Sequence, residues 1–136
     1  MRIKTILFAL IAISITSCKE MKKISGDYEV TIVGNKDYSQ HDITLKIEMG
    51  EENRISGKSA CNQYSGNFTN PKDNQVDIGM LMGTKMYCKD TSQIERDYLD
   101  HLSQVTCVNK TKTGLDLLDK EGKVIIVAIK KKISNA

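Results

Sequence analysis

Between residues 28 and 68, apolar side chains recur at every second position, and this alternation limits the possible folds more than any other feature of the chain. Tyr28, Val30 and Ile32 alternate with Glu29 and Thr31, and Ile43, Leu45, Ile47 and Met49 alternate with Thr44, Lys46 and Glu48. Successive side chains of a strand point to opposite faces, so the pattern predicts strands with one buried and one wet face. Ile55 to Ser59 and Tyr64 to Phe68 continue it, with Gly57 and Gly66 at bend or bulge positions. Val76 to Ile78 makes a short fifth strand behind the turn-forming Asn70-Pro71-Lys72-Asp73-Asn74.

One helix interrupts the strands. Ser92 and Glu95 have capping-box spacing, and Ile94, Tyr98, Leu99, Leu102 and Val105 share a helical face that ends near Ser103 or Gln104. Three strands follow, at Val105 to Asn109, Leu115 to Leu118 and Val124 to Ile129, with Asp119-Lys120-Glu121-Gly122 as the hairpin turn between the last two. Val124 to Val127 is apolar on both faces, as in a central or helix-covered strand. The predicted class is α+β and β-rich: about eight short antiparallel strands in a curved sheet or partly open barrel, with one helix inserted before the last three. A chain of 136 residues with 40% hydrophobic and 27% charged residues suits one packed domain.

The N-terminal end reads as a separate unit. Met1 to Lys4 is basic and Thr5 to Ile15 is apolar, the two regions of a secretory signal, too short for a membrane span. Ile15-Thr16-Ser17-Cys18 resembles a lipobox, whose small residues admit a signal peptidase and whose thiol takes a diacylglyceryl group. The organisation predicted is a signal peptide over 1–17, lipidated Cys18 and a polar tether over 18–25, the domain over 26–132 and a tail over 133–136. Two or more acyl chains hold a protein durably on a membrane. Lys19 differs from the Asp that retains enterobacterial lipoproteins in the inner membrane, so the outer membrane, facing the periplasm, is the expected address.

Removing Arg2 and Lys4 from the 20 basic residues leaves 18 against 17 acidic ones. That balance speaks against nucleic acid, which requires a concentrated basic face. Lys130-Lys131-Lys132 reads as a solvated end. Of four cysteines, lipid on Cys18 leaves Cys61, Cys88 and Cys107, and an oxidising envelope favours a disulfide. The preferred pair is Cys61 with Cys88, leaving Cys107 as a free, buried thiol.

Three patches occur in order: Ser59-Ala60-Cys61-Asn62-Gln63-Tyr64-Ser65-Gly66, then Gly83-Thr84-Lys85-Met86-Tyr87-Cys88, then the helix with Leu115 to Gly122. Together they resemble the META domain family, which includes HslJ-type bacterial lipoproteins. The specific elements are Cys61, Asn62, Tyr64 and Gly66 in the first patch and Thr84, Lys85, Met86 and Cys88 in the second. Ala60 stands where the family often has Gly, and Tyr28 where it has a Trp near the first strand. Cys107 lies outside the pattern. The resemblance implies a compact β-rich domain with a helix and links to stress response, antibiotic tolerance and virulence, without a shared biochemical activity.

No catalytic residues are expected. A cysteine nucleophile would need a base, and His41 and His101 read as surface histidines. No cofactor is expected either. Met80, Met82, Met86 and Cys88 gather soft ligands suited to Cu(I), a minor alternative that requires reduced Cys88 and competes with methionine as a gap-filler. Asn62 reads as a turn former bonded to nearby backbone, and Tyr64, Tyr87 and Tyr98 as packing residues. The function expected is that of a monomeric, non-enzymatic, lipid-anchored envelope protein. Its domain would bind another envelope protein, or an apolar ligand in a groove beside the helix. A structural stress lipoprotein without a specific ligand is the alternative.

Overall fold

A computed structural model of the chain describes residues 24–132. The signal peptide, Cys18, residues 19–23 of the tether and the tail over 133–136 lie outside the described residues.

The alternating segments form the strands β1 (Gly26–Val33), β3 (Thr44–Glu48), β4 (Asn53–Lys58) and β5 (Gln63–Thr69), followed by the short β6 (Asp77–Ile78). Helix α1 (Ser92–Ser103) precedes β8 (Cys107–Lys110), β9 (Gly114–Leu118) and β10 (Val124–Lys130). Two further strands, β2 (Lys36–Asp37) and β7 (Met82–Gly83), raise the count to ten. Neither lies in a stretch that alternates apolar with polar residues, which is why the sequence shows eight.

All pairings are antiparallel within one sheet of order β6-β5-β4-β3-β1-β10-β9-β8, with β2 added to β1 and β7 to β5. The sheet curls until its two ends approach at a single bridge between Gln75 and Cys107. There the Val76 amide donates to the Thr106 carbonyl and the Val108 amide to the Asn74 carbonyl, both at 2.9 Å. Among the described residues no ladder closes this seam, so the architecture is a strongly curved sheet and not a closed barrel. β10 lies between β1 and β9, which accounts for its apolar residues on both faces.

The core is the concave side of this sheet, filled by Tyr28, Val30, Ile43, Leu45, Ile47, Ile55, Tyr64 and Phe68 from the alternating strands. One expectation fails inside β1. The register against β10 shifts between Val30 and Ile32, so Val33 is fully buried while Ile32 is 40% exposed. An extra residue in a strand reverses the face of everything beyond it. A second shift, between Val124 and Ile126, brings both Ile125 and Ile126 into the core.

Helix α1 places Tyr98 and Leu102 in the concavity, with Val105 buried just past its end and Ile94 and Leu99 at the margin. The Tyr38 hydroxyl donates to Asp97 Oδ2 at 2.7 Å, fastening the segment after β2 to the helix. Burial and that carboxylate push the Tyr38 pKa up to about 12. The anticipated capping box is not made. Thr91 is the N-cap without a side-chain cap bond, Ser92 is already helical, and the Glu95 carboxylate points elsewhere.

The groove anticipated beside the helix is not seen among the described residues. Among the described residues the apolar void between the sheet and Leu102 and Val105 measures only about 20 Å³, lined by Leu45, Ile47, Phe68 and Leu117 among others. That is room for about one water-sized sphere and not for an acyl chain. Cys107 is free but half-buried, which corrects its expected burial. The neighbouring Val108 takes the inward position of β8, so period two turns Cys107 to the outer side.

Candidate functional site

The motif residues converge where the β4–β5 connection meets the start of α1 and the segment Thr84 to Cys88. The turn is local at first: the Ser59 amide donates to the Asn62 carbonyl at 2.8 Å, and Ser59 Oγ lies 2.9 Å from the same oxygen. Ala60 takes a left-handed conformation within it, at φ 77°. A Cβ there costs about 1–2 kcal/mol, which gives a physical reason for the glycine often found at this position in META domains. Ala60→Gly is expected to stabilise the domain by about 0.5–1 kcal/mol, after the greater freedom of glycine in the unfolded chain is subtracted. The check is a higher urea midpoint with an unchanged slope.

Asn62 is 6% exposed, and its side chain does not bond nearby backbone as expected. Its Oδ1 accepts from the Met86 amide at 2.7 Å and from Thr84 Oγ1 at 2.9 Å. Its Nδ2 donates to the Met86 carbonyl at 3.1 Å and to Glu95 Oε2 at 3.0 Å. The amide group thereby joins three stretches far apart in the chain. Thr84 adds two contacts, accepting the Gln63 amide on Oγ1 at 3.1 Å and donating its own amide to the Gln63 carbonyl at 3.0 Å.

Glu95 closes the network from the helix. Its Oε1 accepts from Ser59 Oγ and from the Asn62 amide, at 2.5 and 3.0 Å. Desolvation pushes its pKa up, but the bonds from Ser59 and Asn62 together outweigh that, so the carboxyl sits below its ordinary value of 4.5. Glu95 and Ser59 are the site residues that sequence reasoning missed. The capping-box spacing of Glu95 offered a local explanation, and no periodic signal marks Ser59.

Cys61 and Cys88 form the disulfide, with Cα atoms 5.9 Å apart, beside the same network. Tyr64 points inward. Its hydroxyl donates to the Thr44 carbonyl at 2.8 Å and lies 2.5 Å from that of Tyr98, the two rings meeting edge to face. Burial raises both phenol pKa values well above the ordinary tyrosine range. Gly66 lets another segment approach: a Cβ on it would stand 2.9 Å from Leu81 Cδ2 and 3.1 Å from the Met80 carbonyl oxygen. Lys85 is exposed and outside the network.

Disulfide and hydrogen bonds thus hold the strip from residue 80 to 88 against β5; Leu81 packs toward the core, while the methionines and Tyr87 turn outward. Met80 is 86% exposed, Met82 70%, Met86 62% and Tyr87 85%. Of the tyrosines expected to pack, Tyr64 and Tyr98 do and Tyr87 does not. Beside Met82 a polar cleft of about 600 Å³ follows the outer face of β4 and β5, lined by Arg54, Ser56, Lys58, Gln63, Ser65 and Thr84. Lys58 there already pairs with Asp42 at 2.9 Å.

The remaining candidates separate. Cys88 is spent in the disulfide, which removes the thiolate that the copper(I) reading required. Neither histidine is a plain surface residue: His41 packs edge-on against Tyr38, and half-buried His101 bonds through Nδ1 to the Asp97 carbonyl at 2.8 Å. Among the described residues the site thus places an exposed apolar strip, held by a disulfide and hydrogen bonds, beside a polar cleft.

A family model described as META domain matches residues 20–132. A structure of a protein from Burkholderia xenovorans, determined by NMR, is similar with a TM-score of 0.62 and 21% sequence identity. The similarity covers 81% of this chain and 85% of that one, and at this identity it concerns the fold alone. The curated proteins contain no match to the chain.

Proposed function

Because this chain belongs to the META domain family, we propose that it is a lipid-anchored, non-enzymatic protein of the bacterial cell envelope that docks another envelope protein. Cys18 carries the lipid, in the outer membrane facing the periplasm, and the strip from Met80 to Tyr87 carries the contact. The family resemblance makes envelope stress and antibiotic tolerance the natural setting.

The observation behind this reading is the exposure of Met80, Met82, Met86 and Tyr87 on a segment fixed at Asn62 and Cys88. Large apolar side chains held out in water on a rigid support are what a protein interface uses, and Tyr is enriched among binding hot spots. Methionines are flexible and polarizable, and so adapt to the shape of a partner's surface. The adjoining polar cleft supplies hydrogen-bonding groups suited to an interface rim. The apolar void near the helix is too small for a chain-like ligand, which favours a protein over a lipid as the occupant.

The test is affinity purification of the membrane-bound protein alongside a Met82→Ser/Tyr87→Ser variant and a Cys18→Ala variant. The double variant, with both side chains exposed, should keep the wild-type melting temperature and lose the partner by at least about tenfold. Cys18→Ala should release the domain from the membrane fraction. Equal recovery of the partner by the double variant, or no reproducible partner of the wild type, overturns the reading.

A further inference from the structure

The run Lys130-Lys131-Lys132 reads from sequence as a solvated end, yet the fold gives it specific neighbours. β1 and β10 run antiparallel with Tyr28 opposite Lys130, and the Lys131 amide donates to the Asp27 carbonyl at 2.9 Å. On the other side of β1, Asp27 stands opposite Lys46. A cleft of about 570 Å³ results, its rim formed by Ser25, Asp27, Lys46, Lys130, Lys131 and Lys132. All four lysines are exposed. The acids at hand are Asp27 in the cleft and Glu48, 3.4 Å from the Lys46 ammonium, so cations remain in excess.

Position makes this cleft more than a charged patch. Ser25 belongs to its wall and lies seven positions after Cys18. A fully extended chain covers at most about 3.6 Å per residue, so the wall stands no more than about 25 Å from the Cys18 backbone. We propose that the lysine cleft is a headgroup site: it receives the phosphates of anionic lipids in the membrane that anchors the chain, and so orients the domain with this end down. The proposal rests on lipidation of Cys18. An ammonium offers three donors and no acceptor, which suits phosphate oxygens. Each lysine near an anionic surface favours association, by an amount equivalent to about fivefold. An acyl anchor combined with a basic patch is a stronger tether than the anchor alone.

The experiment uses the full mature chain purified from membranes, its Cys18 lipid verified by intact mass. The chain is reconstituted in phosphatidylglycerol–phosphatidylethanolamine vesicles and, separately, in phosphatidylcholine vesicles. A water-soluble acetylating reagent then reports each lysine's reactivity by mass spectrometry, with Lys120 of the Asp119–Gly122 turn as reference. In the anionic vesicles Lys46, Lys130, Lys131 and Lys132 should label about fivefold more slowly relative to Lys120, and salt at about 1 M should abolish the difference. A Lys130→Glu/Lys131→Glu variant should stay on both vesicles through its lipid and lose the protection of Lys46. Equal labelling in the two vesicle types by a lipidated, vesicle-bound chain overturns the headgroup site and leaves the anchor standing. Equal protection by inorganic phosphate in phosphatidylcholine vesicles overturns the bilayer as its source. A chain without lipid that floats with neither vesicle overturns the anchor, and the proposal with it.

Discussion

Replacing Cys61 and Cys88 together by serine is expected to lower the unfolding free energy by about 3–4 kcal/mol. The bridge spans 27 residues. Cross-linking a loop of that size removes chain entropy from the unfolded state worth about 3.5 kcal/mol at room temperature on the loop-closure model. Against a total of about 5–15 kcal/mol for a domain of this size, that is a large share. The corresponding fall in melting temperature is about 10–20 °C. Reductant should reproduce it in the wild type and have no effect on the double serine variant. Cys107→Ser, which leaves the bridge intact, should change stability by less than about 1 kcal/mol. A melting temperature within a few degrees of wild type for the double variant would contradict the assignment. The same loss should reach function, because the bridge is one of the fastenings of the strip that carries Met82, Met86 and Tyr87.

Asn62→Asp tests a second fastening, with an expected cost of about 3–5 kcal/mol near neutral pH. The substitution keeps the acceptor facing Thr84 and Met86 but removes the Nδ2 donor to the Met86 carbonyl and to Glu95. A carboxylate would then stand about 3 Å from the Glu95 carboxylate in a largely buried site. The pH dependence distinguishes this from simple loss of packing. In the wild type, the Glu95 pKa is held down by Ser59 and Asn62 against the upward push of desolvation. A depressed carboxyl contributes stability that is present above its ordinary 4.5 and lost as pH falls through the folded value. The wild type should therefore weaken on acidification into that range. In the variant the paired carboxyls share a proton as the pH falls, so its deficit should shrink between about pH 7 and pH 4. Urea unfolding across that interval measures both curves. A deficit that does not vary with pH would show that the two carboxyls do not face each other.

Both predictions rest on contacts that the chain only partly reveals. Tyr28, Val30, Leu45, Ile47, Ile55 and Phe68 declare their strands because period two is a local property, read within five or six residues. Tyr98 and Leu102 declare the buried face of the helix in the same way. Asn62 and Glu95 carry no comparable signature. Each has a plausible local role, a turn for one and a cap for the other. Their actual partners lie between 22 and 36 residues away and become neighbours only in the folded sheet.

The sequence by itself therefore determined eight of the ten strands, the single helix before the last three of them and the hairpin at Asp119 to Gly122. These follow from periodicity and turn chemistry, which act over short stretches. Only the tertiary structure decided that Val33 and not Ile32 faces the core, since that depends on the register β1 adopts against β10. It also decided that the methionine strip is exposed while Ser59 and Asn62 beneath it are buried, and that Lys130 to Lys132 stand beside Asp27 and Lys46. In each case the deciding quantity is the distance between residues remote in sequence, which the folded sheet sets and no local pattern encodes.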